Sequence, residues 1–235
     1  MKLRDKVQHF LVVVLSRVGL KNLLLTAPGG YLRDSGWTKS ARAGYPLDTA
    51  GRSQPWLTLP AICFLGDRLS ADLTVFEFGS GGSTAWYGRH AGRVTSVEHD
   101  ESWFEKIKND LPSNVELVFC GTEQPGEFLD LVFRPLGDPL DYVQVLRRAS
   151  AERYPDVVVI DGVDRLNCIA AVAAEAPDST AIVVDNLEYE NELAPAIELL
   201  ATKGYRRLDF WGIAPGGLRL SDTAIFYKVG NSLGI

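Results

Sequence analysis

The residues best able to do chemistry here are a run of glycines and the acidic side chains around it. Glu77-Phe78-Gly79-Ser80-Gly81-Gly82-Ser83-Thr84 follows a short β-rich run, Leu73–Phe78, and opens a helical pattern. Glycines between a strand and a helix let a ligand approach the backbone with no Cβ in the way. The free amides of the helix start then favour an anionic group. Nineteen residues after Gly79, Glu98 closes a second strand, Arg93–Glu98. A carboxylate there can accept both hydrogen bonds of a ribose diol. Glycines alone could merely allow close helix–strand packing, but strand, turn, helix, strand and terminal Glu together point to a nucleoside-type ligand. A dinucleotide fingerprint needs G-x-G-x-x-G, and Thr84 stands at its third glycine. Glu77, two residues before the first glycine, suits a ligand carrying an ammonium in place of a pyrophosphate.

Two further strands end in acids: Val157–Ile160 on Asp161, and Ala181–Val184 on Asp185-Asn186. Neighbouring parallel strands lie ~4.8 Å apart, so Asp161, Asp185 and Asn186 could converge on one hard cation. The alternative is that Asp161 only hydrogen-bonds a ligand or caps the next helix, and that Asp185-Asn186 only shapes a turn. His99 could line a nucleobase pocket, and His90 at a helix end suits a solvated or capping role. His9 reads as structural, Arg165 as an ion-pair partner of Asp161 or Asp164, and Cys168 as buried packing. Trp37 and Trp56 could close over an acceptor or simply pack their irregular segment. No Ser/His/Asp triad and no zinc-ligand spacing occurs.

The elements that must position these residues alternate in type. Helical patterns cover Leu57–Leu69, Ser83–His90, Glu101–Leu111, Asp138–Arg153, Arg165–Ala176 and Glu192–Lys203, the last ended by Gly204 as a C-terminal cap. Between them lie the four strands already named and Val115–Phe119. Runs such as VVVI and AIVV are apolar on both faces, as in the middle of a helix-covered parallel sheet. Right-handed crossovers then give an α/β, doubly wound sheet with its ligand crevice at the carboxyl ends of the strands. Tyr205–Trp211 and Thr223–Val229 have no room for a helix between them, so they form an antiparallel pair. Residues 28–60, rich in Gly, Pro and Trp, read as a structured loop or lid. The expected organisation is an N-terminal helix and lid segment over 1–56 and a ligand-binding domain over 57–235.

The N-terminus is basic to Lys6 and apolar over Phe10–Leu15. That run is too short for a secretory h-region or a membrane span, and no A-x-A site follows before the polar stretch Arg33–Lys39. It reads as an amphipathic helix packed on the domain or on a second subunit, with contact to a membrane surface as the alternative. The 235 residues carry a net charge of −6, with 46% hydrophobic and 23% charged residues. That composition excludes disordered and fibrous classes, and it lacks the dense basic face that nucleic acid requires. Three cysteines without CxxC spacing fit a reducing compartment, so a cytoplasmic protein is expected.

The segment from Glu77 to Thr84, with Glu98, resembles the first motifs of class I S-adenosylmethionine-dependent methyltransferases, an acid followed by G-x-G-x-G. Ser83 stands where many members have a third glycine. The resemblance spans about residues 70–229 and includes the antiparallel last strands. The stretch Trp37–Asp100 (PLDTAG, PW, VFEFGSGGSTAW, SVEHDESW) is similar to a little-characterised subgroup of bacterial methyltransferase-like proteins. The resemblance implies a Rossmann-like, mostly parallel seven-stranded sheet and a methyltransferase of class EC 2.1.1.- acting on a small-molecule acceptor. It puts the methionine moiety near Glu77, Gly79, Ser80 and Gly81, the ribose on Glu98, and the adenine near His99 and Cys120-Gly121-Thr122. Asp161 would lie beside the sulfonium and the acceptor, with Asp185 as a second catalytic acid. Asp161, Asp185 and Asn186 are also similar to the magnesium set of the catechol O-methyltransferase group, although Asp164 stands where that group has its lysine base. Two alternatives remain: group transfer as in polyamine synthases, and a non-catalytic nucleoside-binding or interaction domain.

Overall fold

The computed structural model describes residues 3–17, 20–122 and 128–235. Seven strands form one sheet: β1 (Thr74–Phe78), β2 (Arg93–Glu98), β3 (Val115–Phe119), β4 (Val157–Ile160), β5 (Ala181–Asp185), β6 (Arg206–Gly212) and β7 (Ser221–Tyr227). Their spatial order is 3-2-1-4-5-7-6. β1 to β5 are parallel, and β7 runs antiparallel between β5 and β6. The two-sided apolar strands sit at the centre, as their composition requires.

Period-two alternation divides the core. Phe76, Phe78, Val158, Ile160, Ile182 and Val184 point to one face, where α8 (Asp141–Ala149), α9 (Arg165–Glu175) and α10 (Glu190–Thr202) cover them. Val75, Val157, Val159, Ala181 and Val183 point to the other, under α4 (Leu59–Gly66) and α5 (Gly82–His90). Phe76 and Phe78 are fully buried, and each such side chain stabilises the fold by roughly 1.5–3 kcal/mol. Just past the end of α10, the φ of 81° at Gly204 lets its amide and that of Tyr205 turn back to Ala201 and Leu200.

Several boundaries differ from the sequence expectations. Residues 28–60 hold two short helices, α2 (Tyr31–Asp34) and α3 (Trp37–Ala43), too brief to show a helical repeat in sequence. α4 starts only at Leu59, with Pro60 in its first turn, while Leu57 is buried ahead of it. α6 spans Glu101–Ile107, and a further helix, α7 (Phe128–Val132), lies between β3 and α8, where the sequence showed no helical pattern. α3 and the segment after it are anchored to the β6–β7 hairpin. Trp37 Nε1 donates to Gly217 O at 2.7 Å, and Thr58 Oγ1 donates to Phe210 O at 2.7 Å.

The N-terminal helix α1 spans Leu3–Arg17. Val7, Phe10, Val12, Val13 and Val14 are all exposed, so these side chains are not laid against the domain. The side chain of His9 lies outside the described residues. No described helix is long and apolar enough to cross a membrane.

Candidate functional site

Strand register sets the site. Phe78 pairs with Val97 and Ile160, and Ile160 pairs with Val184. One residue further, Glu98, Gly79, Asp161 and Asp185 therefore stand in a row across four strands at the carboxyl edge. A cavity of about 300 Å³ opens there. Of the residues expected from sequence, Gly79, Ser80, Gly81, Glu98, His99 and Asp161 line it. Glu77, Cys120, Gly121, Asp185 and Asn186 do not.

Four aromatic side chains that come from distant segments also line the cavity: Tyr45, Trp56, Trp103 and Phe128. Trp56 had a sequence signal through the irregular segment 28–60, which also holds Tyr45; Phe128 had none. Gly82 lies so close to the segment bearing Tyr45 that a Cβ on it would meet the Tyr45 hydroxyl at 2.8 Å. Trp103 is fixed by donating from Nε1 to Ser80 O at 2.9 Å. Trp37 does not line the cavity. A larger hollow, about 620 Å³, lies at the opposite edge beside Thr74, Arg93 and Pro155. It lacks the glycine turn, and ligands of doubly wound sheets bind at the carboxyl ends.

Gly79 shows why the turn needs glycine. Its φ is 93°, and a Cβ there would lie 2.6 Å from Gly162 Cα. Beneath the turn, fully buried Glu77 acts as its foundation. The Gly81 amide donates to Thr84 Oγ1 at 2.9 Å, and that hydroxyl donates to Glu77 Oε2 at 2.6 Å. Ser96 Oγ donates to the same oxygen at 2.7 Å. Burial pushes the Glu77 carboxyl up to about 7, with the surrounding hydroxyls pulling against it.

Glu98 is the electrostatic opposite. Its Oε2 accepts from Ser80 N at 3.1 Å and Ser80 Oγ at 2.5 Å. Its Oε1 accepts from the amides of His99 and Asp100, both at 2.8 Å, and His99 Nδ1 lies 3.0 Å away. Burial works to raise its pKa, but the hydrogen bonds from His99, Ser80 and Asp100 outweigh it and hold the carboxyl below the usual range.

Arg165 holds the third carboxylate. Its buried guanidinium donates to Gly162 O at 3.0 Å, to Asp185 O, and to Asp161 Oδ1 at 3.1 Å. Burial raises the pKa of Asp161 although Arg165 lowers it. Asp185 is pushed well above the ordinary value by burial and by Asp161, and its Oδ1 accepts from Thr223 Oγ1 at 2.5 Å. Asp164, and not Asp161, stands at the N-cap position of α9, although its side chain makes no cap hydrogen bond.

The proposed magnesium ligands do not fit the ion. Asp161 is engaged by a guanidinium, Asp185 is buried against Thr223, and the Asn186 amide turns to Glu188 at 3.2 Å. A divalent cation between the two carboxylates would sit beside a fixed positive charge. Among the described residues, no three His, Cys, Asp or Glu side chains gather where a metal could bind.

His90 and Cys168 lie away from the cavity. His90 stacks on Trp86 with ring centroids 4.0 Å apart, and Cys168 is wholly buried in the core.

A sheet of order 3-2-1-4-5-7-6 with β7 reversed, wound by helices on both faces, is the Rossmann-like fold of class I S-adenosylmethionine-dependent methyltransferases. Solved structures bear this out. A methyltransferase-like protein from Silicibacter pomeroyi is 24% identical over 75% of this chain and 91% of its own, with a TM-score of 0.51. An O-methyltransferase from Bacillus cereus, solved in complex with SAH, is 19% identical over 85% of this chain and 92% of its own, with a TM-score of 0.50. No family model matches the sequence, and no curated protein matches it.

Proposed function

We propose that the protein is an S-adenosylmethionine-dependent methyltransferase acting on a small-molecule acceptor. The observation that carries this reading is the row of Glu98, Gly79 and Asp161, all three opening on one cavity at the carboxyl edge. The structure of the Bacillus cereus O-methyltransferase, which has the same fold, contains SAH.

In this reading the glycine turn receives the methionine end, and Glu77 holds the turn from below. Glu98 receives the ribose diol by exchanging its contacts to Ser80 for contacts to the sugar. The bound donor would supply a sulfonium methyl for direct displacement, the sulfur keeping the electron pair of the broken bond. Asp161 orients the acceptor and takes its proton, a role that its raised pKa suits. Arg165 positions Asp161. Trp56, Trp103 and Tyr45 exclude water, so that in-line geometry supplies much of the rate. Asp185, held by Thr223, lies outside the cavity.

Polyamine-synthase-like transfer would also use an acid at Asp164. That side chain is wholly buried and taken by the Leu140 amide and Asn167, which weighs against it. Three free cysteines and the net charge of −6 support a cytoplasmic protein with no nucleic acid partner.

Titration calorimetry with S-adenosylmethionine and S-adenosylhomocysteine tests the reading. Both are expected to bind, and Glu98→Ala is expected to weaken binding at least tenfold. Absence of binding by the unaltered protein at millimolar ligand overturns it. Turnover of labelled methyl groups into candidate acceptors then separates an enzyme from a binding domain.

A further inference from the structure

We infer that α1 is a surface anchor that seats its uncovered apolar side chains in an anionic lipid bilayer. Val7, Phe10 and Val14 recur at the i, i+3, i+7 spacing of one helix face, and they are 51%, 66% and 41% exposed. Val13, next to Phe10 on that face, is exposed as well, as is Val12 on the opposite side. A contiguous apolar surface of this kind marks a partner site.

Charge selects the partner. Residues 1–21 hold five Lys or Arg (Lys2, Arg4, Lys6, Arg17 and Lys21) against the single Asp5, a net +4. The chain as a whole carries −6, so everything after residue 21 sums to −10. The basic residues flank the apolar run Phe10–Leu15 on both sides. A cationic helix with an apolar face fits the headgroup boundary of an anionic leaflet, where the two attractions act together.

A second copy of the chain fits less well. Pairing the stripes of two α1 helices would set one +4 segment against another. The described helix is short of a span, because its 15 residues reach only about 22 Å against a hydrocarbon core of about 30 Å. The helix therefore lies in the plane of the interface. This inference is independent of the proposed methyl transfer, and its test uses no methyl donor.

Sedimentation of the full chain with lipid vesicles provides the test. Vesicles of 70:30 phosphatidylcholine and phosphatidylglycerol should pellet the protein in 0.1 M salt. Phosphatidylcholine alone, or 0.5 M salt, should reduce binding at least tenfold. The double variant Phe10→Asp, Val14→Asp should lose binding tenfold or more while its melting temperature is unchanged, since both side chains are exposed. Failure to bind the anionic vesicles overturns the inference, as does undiminished binding by the double variant. A concentration-dependent dimer without lipid, abolished by the same variant, overturns it as well, because a second copy then covers the stripe.

Discussion

Glu77 and Glu98 are the same amino acid placed one strand apart, and their surroundings drive them in opposite directions. Glu77 is raised from 4.5 to about 7 because burial outweighs the hydroxyls that point at it. Between those values the folded state holds a proton that the unfolded state has released, so stability falls as pH climbs through that window. At pH 8 the charged form costs up to about 3 kcal/mol. Glu77→Gln keeps an acceptor for Thr84 and Ser96 and carries no charge. Urea denaturation at pH 5 and pH 8 should show a flatter dependence for the variant and greater stability than the unaltered protein at pH 8. Equal slopes would refute the assignment. Asp185 shares the sign of Glu77 and is present in both proteins, so it cancels in the comparison. Glu98 has the reverse sign: its lowered pKa adds stability above the ordinary carboxyl range, which is lost as pH falls through the folded value.

Between β4 and α9 the chain makes its most constrained connection, and two side chains there hold a whole loop. Asp164 has a φ of 54°, outside the comfortable region for most residues, and is fully buried. Its Oδ2 accepts from the Leu140 amide at 2.8 Å, and its Oδ1 accepts from Asn167 Nδ2 at 2.6 Å. Asn167 in turn accepts from the Gly137 amide at 2.8 Å and donates to Pro135 O at 3.0 Å. Asp164→Ala leaves these groups unpaired while keeping the strained backbone, and should cost about 3 kcal/mol in urea denaturation. Asp164→Asn, which tolerates the left-handed region and keeps one acceptor, should cost less than half as much. Equal losses for the two variants would show that the hydrogen bonds, and not the backbone conformation, govern the connection.

Ligand binding to the cavity should register in the melting of the whole molecule. A nucleoside that binds only the folded state at a hundred times its Kd adds about 2.7 kcal/mol. For a chain of 235 residues that raises the melting temperature by about 5–10 °C. Differential scanning fluorimetry with S-adenosylhomocysteine should show this rise, and Glu98→Ala should reduce it sharply. An unshifted melt in the unaltered protein would count against the cavity as the nucleoside site. Much of this architecture was legible beforehand. VVVI and AIVV announced central parallel strands, and the acids closing them announced the row at the carboxyl edge, because strand composition and the turn after each strand are local properties. What each carboxylate does was decided only by folding. Glu77 lies under the turn because it shares the face of Val75, beneath α5. Asp161 and Asp185 do not meet over a cation because Arg165, at the start of α9, reaches back between them. Tyr45 and Phe128 reach the cavity from segments far away in sequence, and Val7, Phe10 and Val14 of α1 stay exposed. A local pattern states which face a side chain occupies; the group it meets there comes from elsewhere in the chain, and only packing brings the two together.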